Sequence, residues 1–326
     1  MNNSNRDFDK LNNYFIKNGG YHNFNIIKFK NEFGIELKSD SKKGEVVAVC
    51  PNNLLIKSRG EFISDLKNNS KEKKLFDDNE TNIIYNCKSL SLLLSIVIPD
   101  KEKKDLVSLL LGSLPYNLSN FPLYWNNENL KILKNTFFYD DLKLLKNEIH
   151  KYYILIKNKL NIRYKFFKYL FQIISSRSFY LSQNEICLAP IVDLINHSVN
   201  YNCEYFIYDS KLFFTLNKDC KKGEIITINY GDKNDRRYLL SYGFNPKYNN
   251  EIIVFSKIDN QYWNLKSFTK GKDLKALYKK LSKYDKTLEE DLDDLDKLDD
   301  DEFLKRMAYD IIINEKRTII NLVNEL

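Results

Sequence analysis

Residues 190–198, PIVDLINHS, and 224–244, EIITINYGDKNDRRYLLSYGF, constrain this chain more than any other stretch. The first is an apolar run, Ile191, Val192, Leu194 and Ile195, interrupted by Asp193 and closed by Asn196-His197-Ser198. It reads as a buried segment that ends in clustered polar groups, and buried polar groups need partners. The second follows a turn at Lys222-Gly223-Glu224 and runs through Ile225, Ile226, Thr227 and Ile228 to Tyr230-Gly231, which reads as a strand and its exit. Beyond Arg236 and Arg237, Tyr242-Gly243-Phe244 sets a phenol beside a residue with no side chain, where a backbone can come close to a ligand. On its own a tyrosine before glycine is most often a core or turn residue. Asp193, His197 and Ser198 together raise hydrolytic chemistry, but no G-x-S-x-G nucleophile elbow accompanies them.

These two segments resemble the signature motifs of the SET-domain methyltransferases, and the rest of the chain is similar to the Rubisco large-subunit methyltransferase branch. Further matches occur in the same order. LNNYFIKNGG (11–20) is similar to the family's opening helix, and GIELKSDSKKGEVVAVCPNNLLI (34–56) to its first strands. LVSLLLGSLPYNLSNFPLYWNNENLKIL (106–133) resembles the leucine-proline and tryptophan landmarks of the branch's helical insertion, and SSRSF (175–179) the serine-arginine-x-phenylalanine that ends it. The resemblance covers roughly residues 11–256, and several ordered matches carry far more weight than one motif.

The resemblance implies an S-adenosylmethionine-dependent protein N-methyltransferase, with lysine of a non-histone protein as the acceptor; histidine is the alternative acceptor on this fold. It carries the catalytic tyrosine onto Tyr242 and the pair that holds the cofactor onto Asn196 and His197. Arg177 resembles the arginine that meets the cofactor's carboxylate, which its planar fork suits. Glu32-Phe33-Gly34 stands where the family has a glycine-x-glycine approach to the cofactor. Either the glutamate replaces the first glycine and crowds the site, or that glycine is deleted and Glu32 accepts from the cofactor's ammonium group. The acceptor channel maps to Ser176, Phe179 and Asp193, with Tyr230 and Phe255 as wall residues; Asp193 and Phe255 also border the cofactor. The degree of methylation is left open. So is a catalytically silent SET module that binds a protein partner.

Composition limits the alternatives. Five cysteines, Cys50, Cys87, Cys187, Cys203 and Cys220, form no C-x-x-C or C-x-C pair, which argues against disulfide scaffolding and structural zinc. They read as small core residues, and no metal is expected. No apolar run approaches the roughly 18–20 residues of a membrane span, and MNNSNRDFDK carries no secretory apolar stretch. The expectation is a monomer in the cytosol or nucleus, with no membrane partner. The net charge of +7 hides an acidic run, Asp285 to Glu302, with eleven acidic residues against Lys286 and Lys297, a local −9 that leaves +16 elsewhere. The lysines are scattered along the chain, so the positive charge reads as solvated surface, and no direct nucleic-acid partner is expected. The acidic run reads either as a surface complementary to a lysine-rich acceptor, with Asp291, Asp293, Asp294 and Asp296 exposed, or as a solvated helix face or disordered acidic loop with no role in recognition.

KKGEVVAV (42–49) and KKGEIITI (221–228) echo one another, yet both show only a glycine turn entering a β-branched strand, and two copies make no repeat array. From Lys57 to about Gln172 apolar residues recur at three- and four-residue spacing, as in Leu90, Leu93, Leu94 and Val97. We therefore expect an α+β protein: a SET core of small curved sheets with a pseudoknot over 11–256, a helical insertion at about 58–175, and a short helical C-terminal substrate-binding-like domain over 257–326.

Overall fold

A computed structural model describes residues 4–29, 32–59, 80–157, 160–231, 233, 235–245, 255–258, 261–264, 278–299 and 301–325. The chain forms two compact units: residues 1–116 with 152–230, and residues 117–151 with 231–326. This grouping differs from a cut at 256, because the middle of the insertion joins the C-terminal helices, and 231–256 goes with them. Helices and small sheets alternate, the expected α+β character.

The first unit opens with α1 (Ser4–Lys17), which buries Leu11 and Phe15 and packs on α3 (Lys104–Ser113). Strands β1 (Tyr21–His22), β4 (Val46–Cys50), β10 (Lys211–Leu216) and β9 (Cys203–Tyr208) form an antiparallel sheet in the order β1-β4-β10-β9. In β10, Leu212, Phe214 and Leu216 are buried and the alternate residues are not, the period-2 pattern of a half-buried strand. Two further strands, β2 (Phe24–Phe29) and β3 (Glu32–Leu37), pair with one another. A third small sheet joins β5 (Ile56–Lys57), β7 (Ile186–Leu188) and β6 (Ser178–Tyr180). Helix α2 (Glu80–Val97) packs on α6 (Tyr164–Arg177), and α6 runs directly into β6. Cys50, Cys187, Cys203 and Cys220 are free and buried, and burial pushes the Cys187 and Cys203 thiols up to about 12. The side chain of Cys87 lies outside the described residues.

The two KKGE turns are bonded to each other. Ser41 and Cys220 each donate a backbone N–H to the other's carbonyl, both at 2.9 Å. Asp40 accepts from the Lys222 N–H and the Lys221 Nζ, each at 2.9 Å; Asp219 accepts from the Lys43 N–H and the Lys42 Nζ, also at 2.9 Å. Gly44 and Gly223 have φ of +85° and +81°, a region only glycine enters without strain. What looked like a chance echo is a reciprocal clasp between distant parts of the chain. Its carboxylates are held below their ordinary pKa, Asp40 chiefly by the Lys221 hydrogen bond and Asp219 chiefly by the Lys43 N–H.

In the second unit α5 (Phe137–Ile156) begins, its last turn belonging to the first unit. The others are α4 (Asn127–Ile132), α7 (Asp235–Tyr242), α8 (Leu288–Asp296) and α9 (Phe303–Glu325), with a hairpin of β12 (Phe255–Ile258) and β13 (Gln261–Asn264). The buried Glu315 of α9 caps the N-terminus of α5, its two oxygens accepting from the Phe137 N–H at 2.8 and 3.1 Å. A carboxylate there answers both the orphan N–H and the positive end of the helix dipole. Tyr284 donates to the same carboxylate, and its own pKa is raised by burial and by that negative neighbour.

The acidic run is where the structure corrects the sequence most. Thr287 and Glu290 form a capping box that starts α8, and α8 packs on α9 with one face inward. Asp291 is 2% exposed and paired with the equally buried Lys316, while Asp294 accepts from Tyr309 at 2.8 Å and from Lys286. Only Asp293 and Asp296 of the four aspartates face solvent. Spacing explains the split: residues three apart share a helix face. An acceptor surface made of all four is therefore ruled out.

Candidate functional site

The two signature segments meet in one ladder. Strand β8 (Asn196–His197) pairs in parallel with β11 (Thr227–Ile228), Thr227 opposite Asn196 and Ile228 opposite His197. A parallel pair needs a long connection, and here it contains the β9–β10 hairpin, turned at Asp209 and Ser210 with φ of +48° and +57°. Just before β11, Ile226 donates to Ile35 O and Leu37 to Glu224 O, both at 3.0 Å, so the second segment is stitched to β3 as well. Asn196 completes the loop of contacts, its Nδ2 donating to Phe33 O at 3.1 Å. Thus the residues expected to hold a cofactor, Phe33, Gly34, Asn196 and His197, come from neighbouring strands. Glu32 opens β3 opposite Phe29, and its side chain lies outside the described residues.

Tyr230 holds the Asn-His segment at two points. Its N–H donates to His197 Nδ1 at 3.2 Å and its hydroxyl to Ile195 O at 2.7 Å, with the two rings 5.2 Å apart. Because Nδ1 accepts, a neutral His197 carries its proton on Nε2. The imidazole is fixed in tautomer and tilt, as suits a positioning role.

Arg177, the last residue of α6, donates from Nη1 to Asp193 Oδ2 at 3.1 Å. The Asp193 side chain is 3% exposed and that of Arg177 20%. Burial raises the Asp193 pKa, and the Arg177 charge and hydrogen bond work against that rise. Asp193 sits in a short 3₁₀ turn, Val192–Leu194, entered through Ile191 at φ +74°, ψ −53°. This is a strained conformation for a β-branched residue, at a cost of about 1–3 kcal/mol. Sequence reasoning missed it, since isoleucine is among the last residues expected there.

Of the expected channel residues, Ser176 donates to Ile173 O of its own helix at 3.0 Å. Phe179 is 8% exposed and meets Tyr205 and Phe214 edge-on, with centroids at 5.2 and 5.7 Å. The backbone of Phe255 opens β12, and its side chain lies outside the described residues. Tyr242 belongs to the second unit, where it ends α7 against Tyr238 and Phe244, at ring distances of 5.7 and 6.1 Å.

Asn202 is a second residue that sequence reasoning passed over, since asparagine in a loop usually signals only a turn. It is 3% exposed. Its Oδ1 accepts from Thr227 N–H at 2.9 Å, and its Nδ2 donates to Ile225 O at 2.8 Å. The amide thus grips the strand that pairs with Asn196-His197. Asn202→Ala should lower stability by about 1–3 kcal/mol, since it strands a buried donor and acceptor; urea unfolding with a midpoint like wild type would contradict this.

Can these groups hold an amino-acid-like ligand? Among the described residues, the Asn196 Oδ1 and the remaining Arg177 donors meet no other protein partner, and both side chains are only partly exposed. A guanidinium with free donors and an amide acceptor complement a carboxylate and an ammonium respectively. The donor set fits the amino-acid end of S-adenosylmethionine.

The SET domain family model matches residues 32–231. SET domain-containing protein 8 of Schizosaccharomyces pombe is 41% identical over 61 residues, which is 18% of this chain and 14% of that protein. The chloroplastic [fructose-bisphosphate aldolase]-lysine N-methyltransferase of Arabidopsis thaliana is 28% identical over 190 residues, 51% of this chain and 39% of that protein. The chain thus spans well under half the length of either relative. Among solved structures, the SET domain of LSMT bound to lysine and AdoHcy superposes with a TM-score of 0.73 at 15% identity, over 98% of this chain and 91% of that one. Rubisco LSMT bound to AdoMet gives 0.73 at 16% identity with the same coverage. At such identities the likeness is one of fold. With the family model covering more than half of its length, this chain belongs to the SET domain family.

Proposed function

We propose that the protein transfers a methyl group from S-adenosylmethionine to the side-chain amine of a lysine in a non-histone protein. The observation that carries the reading is the ladder joining Asn196-His197 to Thr227-Ile228, with the Asn196 amide tied to Phe33 O. It assembles polar groups from three separate stretches into one partly buried place, and leaves the Asn196 Oδ1 over as an acceptor. The lysine methyltransferase of Arabidopsis named above and the LSMT structure with bound lysine support the choice of acceptor.

Bound S-adenosylmethionine supplies a methyl group activated by its sulfonium. In this reading Arg177 holds the cofactor's carboxylate and Asn196 Oδ1 accepts from its ammonium group. The strand at Phe33-Gly34 and the held ring of His197 shape the remainder of that site. By the resemblance, the acceptor's way in falls to Ser176, Phe179, Asp193, Tyr230 and Phe255, and the orienting of the amine to the Tyr242 phenol. The acceptor must arrive neutral, yet lysine has a reference pKa of about 10.4; an apolar wall favours the neutral form by withholding water. In this reading the protein acts as a monomer in the cytosol or nucleus. No helix among the described residues is long and apolar enough to cross a membrane.

The test has two stages. S-adenosylmethionine and sinefungin should each raise the melting temperature, and methyl-labelled cofactor should mark a protein from a panel that includes fructose-bisphosphate aldolase, with mass spectrometry locating the modified residue. No shift with either compound overturns the reading; binding without transfer to any lysine favours the silent partner-binding module, and label on histidine favours the histidine-directed alternative. Within this reading Asn196→Ala should weaken cofactor binding by about 1–3 kcal/mol. Calorimetry on the folded variant decides it, and unchanged affinity removes Asn196 from the site.

A further inference from the structure

The end of α7 is held by the loop that carries the insertion's tryptophan. Helix α7 stops because Gly243 takes φ +77° and donates its N–H to Leu239 O at 3.0 Å, the glycine-closed C-terminus in which one backward bond satisfies an orphan carbonyl. Tyr242 is the residue just before that stop. The Gly243 carbonyl in turn accepts from Asn120 Nδ2 at 3.3 Å. A Cβ on Gly243 would lie 2.8 Å from Asn120 Nδ2 and 3.2 Å from Phe121 Cγ, so the contact tolerates no side chain.

Asn120 is itself held. Its carbonyl accepts from Trp125 Nε1 at 3.2 Å, and Trp125, at 6% exposed, closes a short 3₁₀ turn through Pro122 O. Phe121 donates to Leu118 O at 3.0 Å, and Leu118, Phe121 and Leu123 are all buried. The segment 118–125 is therefore buried and bonded within itself, with one amide projecting from it onto Gly243. That amide has its orientation dictated by chemistry, because a carbonyl can only accept and so must face the nitrogen.

Resting on the reading of Tyr242 as the phenol that orients the acceptor, we infer that Asn120, braced by Trp125, is the positioning residue for Tyr242. The donor on Gly243 O pins the end of α7 that the glycine sets, and hence where its last side chain stands. The rim of a methyl-transfer site needs such bracing, since a misplacement of about 1 Å costs on the order of 100-fold in rate.

The decisive substitution is Asn120→Asp, which keeps the shape and replaces the donor with an acceptor that repels Gly243 O. Hydrogen–deuterium exchange on the full chain should show faster exchange at residues 239–245 and unchanged exchange at residues 195–198 and 225–228. Methyl transfer should fall by about 10- to 100-fold, with KM and S-adenosylmethionine affinity within twofold of wild type. Trp125→Phe, which removes the indole donor, should shift both readouts in the same direction but less. Should Asn120→Asp not fold, Asn120→Ala serves in its place. Unchanged exchange at 239–245 overturns the bracing. Faster exchange with full turnover overturns the positioning role if Tyr242→Phe is itself inactive; if Tyr242→Phe is fully active too, what fails is the reading of Tyr242.

Discussion

Asp291→Asn is expected to cost the protein about 3–5 kcal/mol of stability, because it leaves the Lys316 ammonium buried without a counter-charge. Lys316 Nζ donates to Asp291, to Lys286 O at 2.6 Å and to Thr287 O at 3.1 Å. All three ammonium donors are used, and both residues of the pair are 2% exposed. The two carbonyls that remain after the substitution offer dipoles, not charge. Replacing both partners by apolar residues, Asp291→Leu with Lys316→Met, should be far milder, since buried ion pairs often lose little to well-packed hydrophobic ones. Denaturant titration of the single and double variants tests both statements. A loss below about 1 kcal/mol for Asp291→Asn would mean that the pair is hydrated and behaves like a surface one.

Tyr242→Phe should reduce methyl transfer by about 100-fold or more, the usual loss when one preorganised polar group is taken from a reacting centre. The change deletes one hydroxyl and little volume, so ring packing with Tyr238 and Phe244 should persist. Cofactor affinity should therefore hold. Single-turnover assays separate chemistry from binding, and a wild-type rate would exclude Tyr242 as the phenol in question. The family model ends at Gly231, so this assignment rests on the tyrosine-glycine motif.

Individual residues show what the sequence could and could not disclose. Asn196 and His197 were readable as polar groups that needed buried partners, but Phe33 O and the Tyr230 N–H could not be named, since no local pattern links position 33 to position 196. The β-branched run 225–228 was readable as a strand. It is in fact shared, Ile226 bonding to β3 while Thr227 and Ile228 pair with β8. Charge density misled at 285–302, because whether an aspartate is solvated depends on what faces it, and Lys316 lies 25 positions on from Asp291. Asn120 and Asn202 carry no special signal at all. Their importance lies in which distant carbonyl each amide reaches.

The reciprocal turns at 40–45 and 219–224 set a timetable for synthesis. The strand Glu32–Leu37 gains its second neighbour only from residues 223–226, about 190 positions later. At 5–20 residues per second the ribosome leaves that edge unpaired for about 10–40 s. An open strand edge is a template for pairing with other chains. Yield in cells should thus depend on translation speed and on chaperones that shield nascent chains, even where the finished protein is stable.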